Sequence, residues 1–173
     1  MTADEVTQAF TRSDGVFLCA RWGRPIAPVV FGTDDATLSQ VKGAVQAMAA
    51  LARHPLAETD PELGANLMFF GCGFRQRMPG MADLVPELAS LVQKLSLNGA
   101  NQYRLFRFDE AGAIRAAFVF LRMDAALSAL PAADLALAQA AQVMLLWSDR
   151  AFARRGPLVR AEGQVVLRPD VAA

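Results

Sequence analysis

Histidine and cysteine are scarce in this chain, which has 173 residues but only one histidine, His54, and two cysteines, Cys19 and Cys72. A structural zinc site takes about four such ligands, and a catalytic one takes about three together with a water. The common serine and cysteine hydrolases also need a histidine beside the nucleophile. His54 precedes Pro55 at the end of a predicted helix. A histidine is favourable there because of the negative end of the helix dipole, so its presence does not require a metal. The sequence therefore predicts no metal site and no cofactor.

An excess of charge of either sign is also missing, since the formal net charge is zero. Nucleic-acid-binding domains carry a basic excess or stripe, and a membrane span needs about 20 consecutive apolar residues. Neither feature is present, so we expect no nucleic acid and no membrane as partner. Two cysteines without an apolar leader are typical of reduced thiols, which predicts a cytoplasmic location.

Apolar residues, in contrast, are plentiful and make up 54% of the chain. A chain of this length falls within the size of one domain and can bury a full core. We therefore predict a single domain over residues 1–173, with residues 1–12 and 158–173 as loose or edge segments. The short apolar run 164–167 either forms an edge strand or stays loose.

The spacing of apolar residues predicts alternating strands and helices. The predicted strands cover residues 16–20, 25–31, 66–72, 103–108 and 114–123, and the predicted helices cover residues 36–52, 81–97 and 132–155. Prolines place the second strand at a sheet edge, whereas the runs 66–72 and 114–123 are apolar on both faces and indicate covered strands. Residues 109–112 form a good hairpin turn. The predicted fold class is α+β, with a mixed, mostly antiparallel sheet covered by two or three helices.

Cys72 lies between two glycines at the end of a predicted strand, where sites commonly open in α/β sheets. Arg75 follows closely and could lower the pKa of a thiol there. The alternative for both Cys72 and Cys19 is the role of a small buried hydrophobe.

Arginines on the predicted hairpin form a second candidate site. If the turn pairs Phe108 with Ala113, then Arg104 and Arg115 share one face of the sheet. Two neighbouring guanidinium groups can hold a carboxylate or phosphate by paired hydrogen bonds. The alternative is that both arginines are solvated or paired with acidic residues on neighbouring elements.

The order of these elements resembles the core of the zincin metallopeptidases, which has a strand, a covering helix, further strands with a hairpin-like pair and then the helix carrying H-E-x-x-H. The matching pieces are residues 25–31, 36–52, 66–72, 103–108, 114–123 and the helix from residue 132. Where the two-histidine motif would stand, residues 137–146 read LAQAAQVMLL, without histidine or glutamate. The resemblance therefore implies a degenerate, metal-free relative, of a kind found among bacterial proteins, that does not cleave peptides by the zincin mechanism.

Two classes of function remain open. The first is a non-enzymatic binding or protein-interaction domain that self-associates, which the high apolar content and a last helix apolar on more than one side favour. The alternative is an enzyme that acts on a small anionic substrate through Cys72 and arginines, with Arg75, Arg104 and Arg115 as ligand-binding residues.

Overall fold

The computed structural model describes residues 2–71, 93, 95 and 97–173. The predicted helix 81–97 lies mainly outside these residues, as do Cys72 and Arg75. The described elements, in chain order, are α1 (Ala3–Phe10), β1 (Pro28–Phe31), α2 (Asp35–Leu51), β2 (Leu67–Phe70), β3 (Gln102–Phe108), β4 (Ile114–Leu121), α3 (Ala125–Ser128), α4 (Ala132–Val143), β5 (Leu158–Ala161), β6 (Gln164–Leu167) and α5 (Pro169–Ala172).

The main sheet has four strands in the order β1-β2-β4-β3. Strand β2 is parallel to both β1 and β4, whereas β3 and β4 form an antiparallel hairpin. The predicted α+β class with a mixed sheet is confirmed. Fewer strand pairs of this sheet are antiparallel than predicted, since only β3 and β4 pair in this way. The reason is that the chain passes from β1 to β2 through helix α2, which brings β2 back parallel to β1.

The positions of the strands follow the sequence pattern. Strand β1 carries Pro28 and lies at an edge, as its prolines predict. Strands β2 and β4 lie in the middle of the sheet and are buried over almost their whole length. These two runs, which are apolar on both faces, were correctly predicted to be covered.

Helices α2 and α4 pack side by side on one face of the sheet and form the main core with it. Val45 of α2, Ala140 of α4 and Val119 of β4 are all buried there. Helix α2 begins where the sequence predicts, because the carboxylate of Asp34 accepts a hydrogen bond from the N–H of Thr37 at 2.7 Å. The prediction that two or three helices cover the sheet is therefore confirmed.

Helix α4 ends at Val143, so the prediction that it continues to residue 155 is wrong. The indole N–H of Trp22 donates to the carbonyl of Val143 at 2.8 Å. The N–H of Leu146 donates to the carbonyl of Ala20 at 3.0 Å instead of bonding within a helix. Contacts with a distant part of the chain thus replace the next helical turn.

The predicted strand 16–20 is not formed. The N–H of Leu18 donates to the carbonyl of Phe10 at 2.9 Å, which holds this segment against the end of α1 instead of in the main sheet. Phe17 makes only an isolated bridge with Thr11. Cys19 is exposed, so the interpretation of this cysteine as a small buried hydrophobe is wrong.

Strands β5 and β6 form a separate two-stranded ribbon near the end of the chain. Their turn contains Glu162 and Gly163 with φ values of 50° and 81°, the left-handed backbone that short hairpin turns require. Strand β6 contacts α4. Of the two alternatives for the run 164–167, the structure shows the strand.

Candidate functional site

A cavity of about 660 Å³ opens between β3, α4 and the β5–β6 ribbon. We call it the Arg104 cavity. Its uncharged polar lining residues are Gln102, Gln139, Gln142 and Ser148. Its apolar lining residues include Leu130, Leu135, Ala138, Phe152, Val159 and Val165. A cavity with apolar walls and a few polar groups has the composition of a small-molecule site.

Strand β3 positions Arg104 at this cavity. Arg104 pairs with Val119 across the hairpin, and paired residues of neighbouring strands share a face of the sheet. Because Val119 lies in the core beneath the helices, Arg104 points toward α4. Its Nη1 donates to Oε1 of Gln139 at 2.8 Å, and Nε2 of Gln139 donates to Oε1 of Gln102 at 2.7 Å. The guanidinium is therefore oriented by neutral amides.

Arg104 is a half-buried charged group that has no counter-ion among the described residues. Among the described residues, no carboxylate forms an ion pair with it. Burial lowers the pKa of Arg104 to about 10, which still leaves it protonated at neutral pH. A buried charge without a partner is unfavourable, and a bound anion would relieve that cost.

Ser148 adds an unsatisfied hydroxyl to the same cavity. The residue is 7% exposed, and its Oγ has no hydrogen-bond partner within the part of the chain that the structure describes. The N–H of Ser148 donates to the carbonyl of Ala9 at 3.0 Å, which fixes the residue against α1. Buried polar atoms are nearly always hydrogen-bonded, so an oxygen atom of a ligand is a fitting partner for this hydroxyl.

Three further charged residues, Asp134, Asp149 and Arg160, line the cavity. Asp149 is already engaged, because its two carboxylate oxygens accept from the N–H of Ser13 at 3.0 Å and from its hydroxyl at 2.6 Å. The side-chain and backbone hydrogen bonds from Ser13 lower the pKa of Asp149. Asp134 is half-buried in the first turn of α4 and forms no ion pair with Arg104.

The hairpin register differs from the predicted one. The structure pairs Phe108 with Ile114, not with Ala113, across an irregularity between Arg107 and Phe108. The predicted pairing at the turn is therefore wrong. A bulge of this kind shifts side chains relative to the regular alternation of a strand, so the face of Arg115 cannot be read from simple alternation.

Arg104 and Arg115 contact different partners and do not form one site. Nη2 of Arg115 donates to Oε2 of Glu62 at 2.7 Å, and Arg24 donates to the same oxygen at 3.2 Å. The alternative of pairing with acidic residues is therefore correct for Arg115. Arg104 instead reaches Gln139.

The pair Cys72 and Arg75 lies outside the described residues, so its proposed role stays a prediction. Gly71, which precedes Cys72, is described. A Cβ atom on Gly71 would lie 2.9 Å from Cγ2 of Thr33. Packing against Thr33 is thus sufficient reason for a glycine at this position.

Sequence reasoning missed Gln139 and Ser148 as site residues. Both were placed inside a long apolar helix, and the sequence signal that could have identified them is a polar side chain within such a run. Gln139 is 1% exposed, and a buried glutamine needs polar partners. The early end of α4 leaves Ser148 outside the helix, next to the cavity.

The described residues contain neither a cluster of metal ligands nor a helix that could span a membrane. No group of three or more histidine, cysteine, aspartate or glutamate side chains stands close enough there to hold a metal ion. Nε2 of His54 lies 2.9 Å from the carbonyl oxygen of Arg24, just beyond the end of α2. In the same part of the chain, no helix combines the length and the apolar character needed to cross a bilayer.

Comparison with protein-family models, curated proteins and solved structures gives no match for this chain. The resemblance to zincins therefore stays a prediction from the order of elements. The chemistry of the Arg104 cavity is the evidence on which a functional conclusion must rest.

Proposed function

We propose that this protein is a binding domain for a small anionic molecule, which Arg104 holds in the Arg104 cavity. The observation that carries the proposal is a half-buried guanidinium at the cavity with no carboxylate partner among the described residues. A carboxylate or phosphate oxygen would accept hydrogen bonds from the N–H groups of Arg104 that bind no described residue and from Oγ of Ser148. The amide of Gln139 holds the guanidinium in place for this contact.

Binding without catalysis is favoured by the groups at the cavity. Its described lining residues include amides, one hydroxyl, carboxylates and arginines, but no histidine, cysteine or lysine. The hydroxyl of Ser148 has no base within hydrogen-bond distance among the described residues, so nothing there activates it as a nucleophile. The alternative, an enzyme that uses Cys72 and arginines, stays a prediction.

Replacement of Arg104 tests the proposal. We expect thermal-shift screening of small carboxylates and phosphates to identify ligands that raise the unfolding temperature of the wild-type protein. Calorimetry should then show that Arg104→Gln weakens their binding by about 10- to 100-fold, because a charge-assisted hydrogen bond is lost.

Arg115→Gln is the matched control, because Arg115 is an arginine of the same hairpin that pairs with Glu62 away from the cavity. It should bind every ligand as the wild-type protein does. Ligands that bind Arg104→Gln as tightly as the wild-type protein would contradict the proposal.

Self-association is a second candidate function, which the exposed apolar side chains of residues 16–18 favour. We infer a second copy of this chain as the partner, because a two-fold contact sets the same apolar surface against itself. The oligomeric state in solution tests this candidate.

A further inference from the structure

The Arg104 cavity is lined by charges of both signs that do not neutralise one another. Arg104 and Asp134 both line it, yet no ion pair within 4.0 Å joins Asp134 to any cation among the described residues. Asp149 differs, because both its carboxylate oxygens are hydrogen-bonded to Ser13. Arg104 and Asp134 are therefore two half-buried charges without a charged partner among the described residues, whereas Arg160, the other cation of the cavity, is exposed to water.

The geometry of α4 separates these two charges along the cavity. Asp134, Ala138 and Gln142 follow one another at intervals of four residues, so they share a helix face, and all three line the cavity. Gln139, which binds Arg104, lies five residues beyond Asp134, or about 7.5 Å further along the helix axis. A small molecule can therefore lie between the carboxylate of Asp134 and the guanidinium of Arg104.

The sign of these charges narrows the class of ligand. A simple anion would pair with Arg104 but would be repelled by the carboxylate of Asp134 at the same cavity. A simple cation would pair with Asp134 but would be repelled by the guanidinium of Arg104. A molecule with one negative and one positive group would satisfy both side chains at once.

We propose that the ligand is a zwitterion of the amino-acid class. This inference rests on the proposed function, because it assigns the anionic group of the ligand to the same arginine. The ligand carboxylate contacts Arg104 and Oγ of Ser148, and the ligand ammonium contacts Asp134. An apolar ligand side chain packs on Leu135 and Phe152, which also line the cavity.

Calorimetry at pH 7 with L-leucine, N-acetyl-L-leucine and L-leucine methyl ester tests the inference. The wild-type protein should bind leucine at least 10-fold more tightly than either blocked form. Arg104→Gln should weaken leucine and N-acetyl-leucine alike by 10-fold or more. Asp134→Asn should weaken leucine by a similar factor but should not weaken N-acetyl-leucine, which has no ammonium group.

Two controls separate charge effects from effects on folding. Asp35→Asn replaces an exposed aspartate in the first turn of another helix, α2, and should bind leucine as the wild-type protein does. Arg104→Lys keeps the positive charge and should bind more tightly than Arg104→Gln. Circular dichroism of each variant checks that it is folded.

The outcomes distinguish the two proposals. The proposal of a zwitterionic ligand is wrong if Asp134→Asn binds leucine like the wild-type protein while Arg104→Gln does not. It is also wrong if N-acetyl-leucine binds better than leucine. In both cases the proposed anion site is retained. If none of the three probes binds the wild-type protein, the zwitterion is again wrong. If binding is unaffected by Arg104→Gln, the proposed function is wrong as well.

Discussion

Among single residues, Asn66 shows most clearly how one buried side chain joins separate segments of the chain. It is 0% exposed, and its Oδ1 accepts from the N–H of Ala27 at 2.8 Å. Its Nδ2 donates to the carbonyl of Pro25 at 2.8 Å and to Oδ2 of Asp60 at 2.9 Å. Asn66 therefore fixes the segment before β1 against the loop before β2. It also gives each of these three polar groups a hydrogen bond in place of water.

We expect Asn66→Ala to lower the free energy of unfolding by about 2–4 kcal/mol, because it leaves buried polar groups unpaired. Urea unfolding at pH 7 measures the loss. Asn101→Ala is the matched control, since Asn101 is half-buried and its side chain makes one hydrogen bond within the described part of the chain, to Asp124 at 3.0 Å. That variant should lose less than about 1 kcal/mol. Equal losses in the two variants would show that the Asn66 network contributes little.

The same variant should change the response to acid. Burial raises the pKa of Asp60, but hydrogen bonds from the N–H groups of Leu63 and Glu62 and from Asn66 and Arg24 outweigh it, so the pKa lies below its ordinary 3.8. A carboxylate of this kind stabilises the fold above pH 3.8, and its contribution is lost as the pH falls through the lowered pKa. Removing the Asn66 donor raises this pKa, so acid unfolding of Asn66→Ala should begin at a higher pH than in the wild-type protein.

Among the secondary-structure elements, those determined by local sequence were predicted well. Helix α2 follows from its apolar spacing and the cap at Asp34, and the β3–β4 hairpin follows from its turn residues. The site was predicted only in part, because Arg104 was named but its partner Gln139 was not. Ser148 reaches the cavity only because α4 ends early, and that end depends on contacts with residues far away in the sequence. Local pattern carries no information on such contacts.

The end of α4 depends on two indole groups. The Nε1 of Trp22 donates to the carbonyl of Val143 at 2.8 Å in a buried setting. The Nε1 of Trp147 donates to the carbonyl of Ala141 at 3.1 Å, where the bond is only part-buried. Both bonds satisfy carbonyl groups that no later helical turn can reach.

We expect Trp22→Phe to lower the free energy of unfolding by about 1–3 kcal/mol, because the carbonyl of Val143 loses its donor and water cannot replace it. Trp147→Phe is the matched control and should lose less, since water can reach its carbonyl partner. Urea unfolding of both variants gives the comparison. A larger loss in Trp147→Phe would mean that its stacking on Phe10, with ring centroids 5.0 Å apart, outweighs the hydrogen bond at the helix end.

At the scale of the whole molecule, the short segment 16–18 beside α1 forms an exposed apolar surface. Val16, Phe17 and Leu18 are 53%, 57% and 39% exposed, and Val6 of α1 is 40% exposed. Adjacent apolar side chains left in water favour association with a matching surface. The net charge of zero adds no long-range repulsion between copies of the chain.

We therefore expect the mass measured by light scattering to rise from monomer toward dimer as the protein concentration increases. Phe17→Asp should keep the protein monomeric, because a dimer would then bury two carboxylates against apolar side chains. Phe31→Asp is the matched control, since this phenylalanine is also exposed, at 36%, but lies at the end of β1, at the edge of the main sheet opposite β3. It should associate as the wild-type protein does. A wild-type protein that remains monomeric at the highest concentration, or equal effects of the two substitutions, would exclude segment 16–18 as a dimer contact and leave the Arg104 cavity as the functional surface.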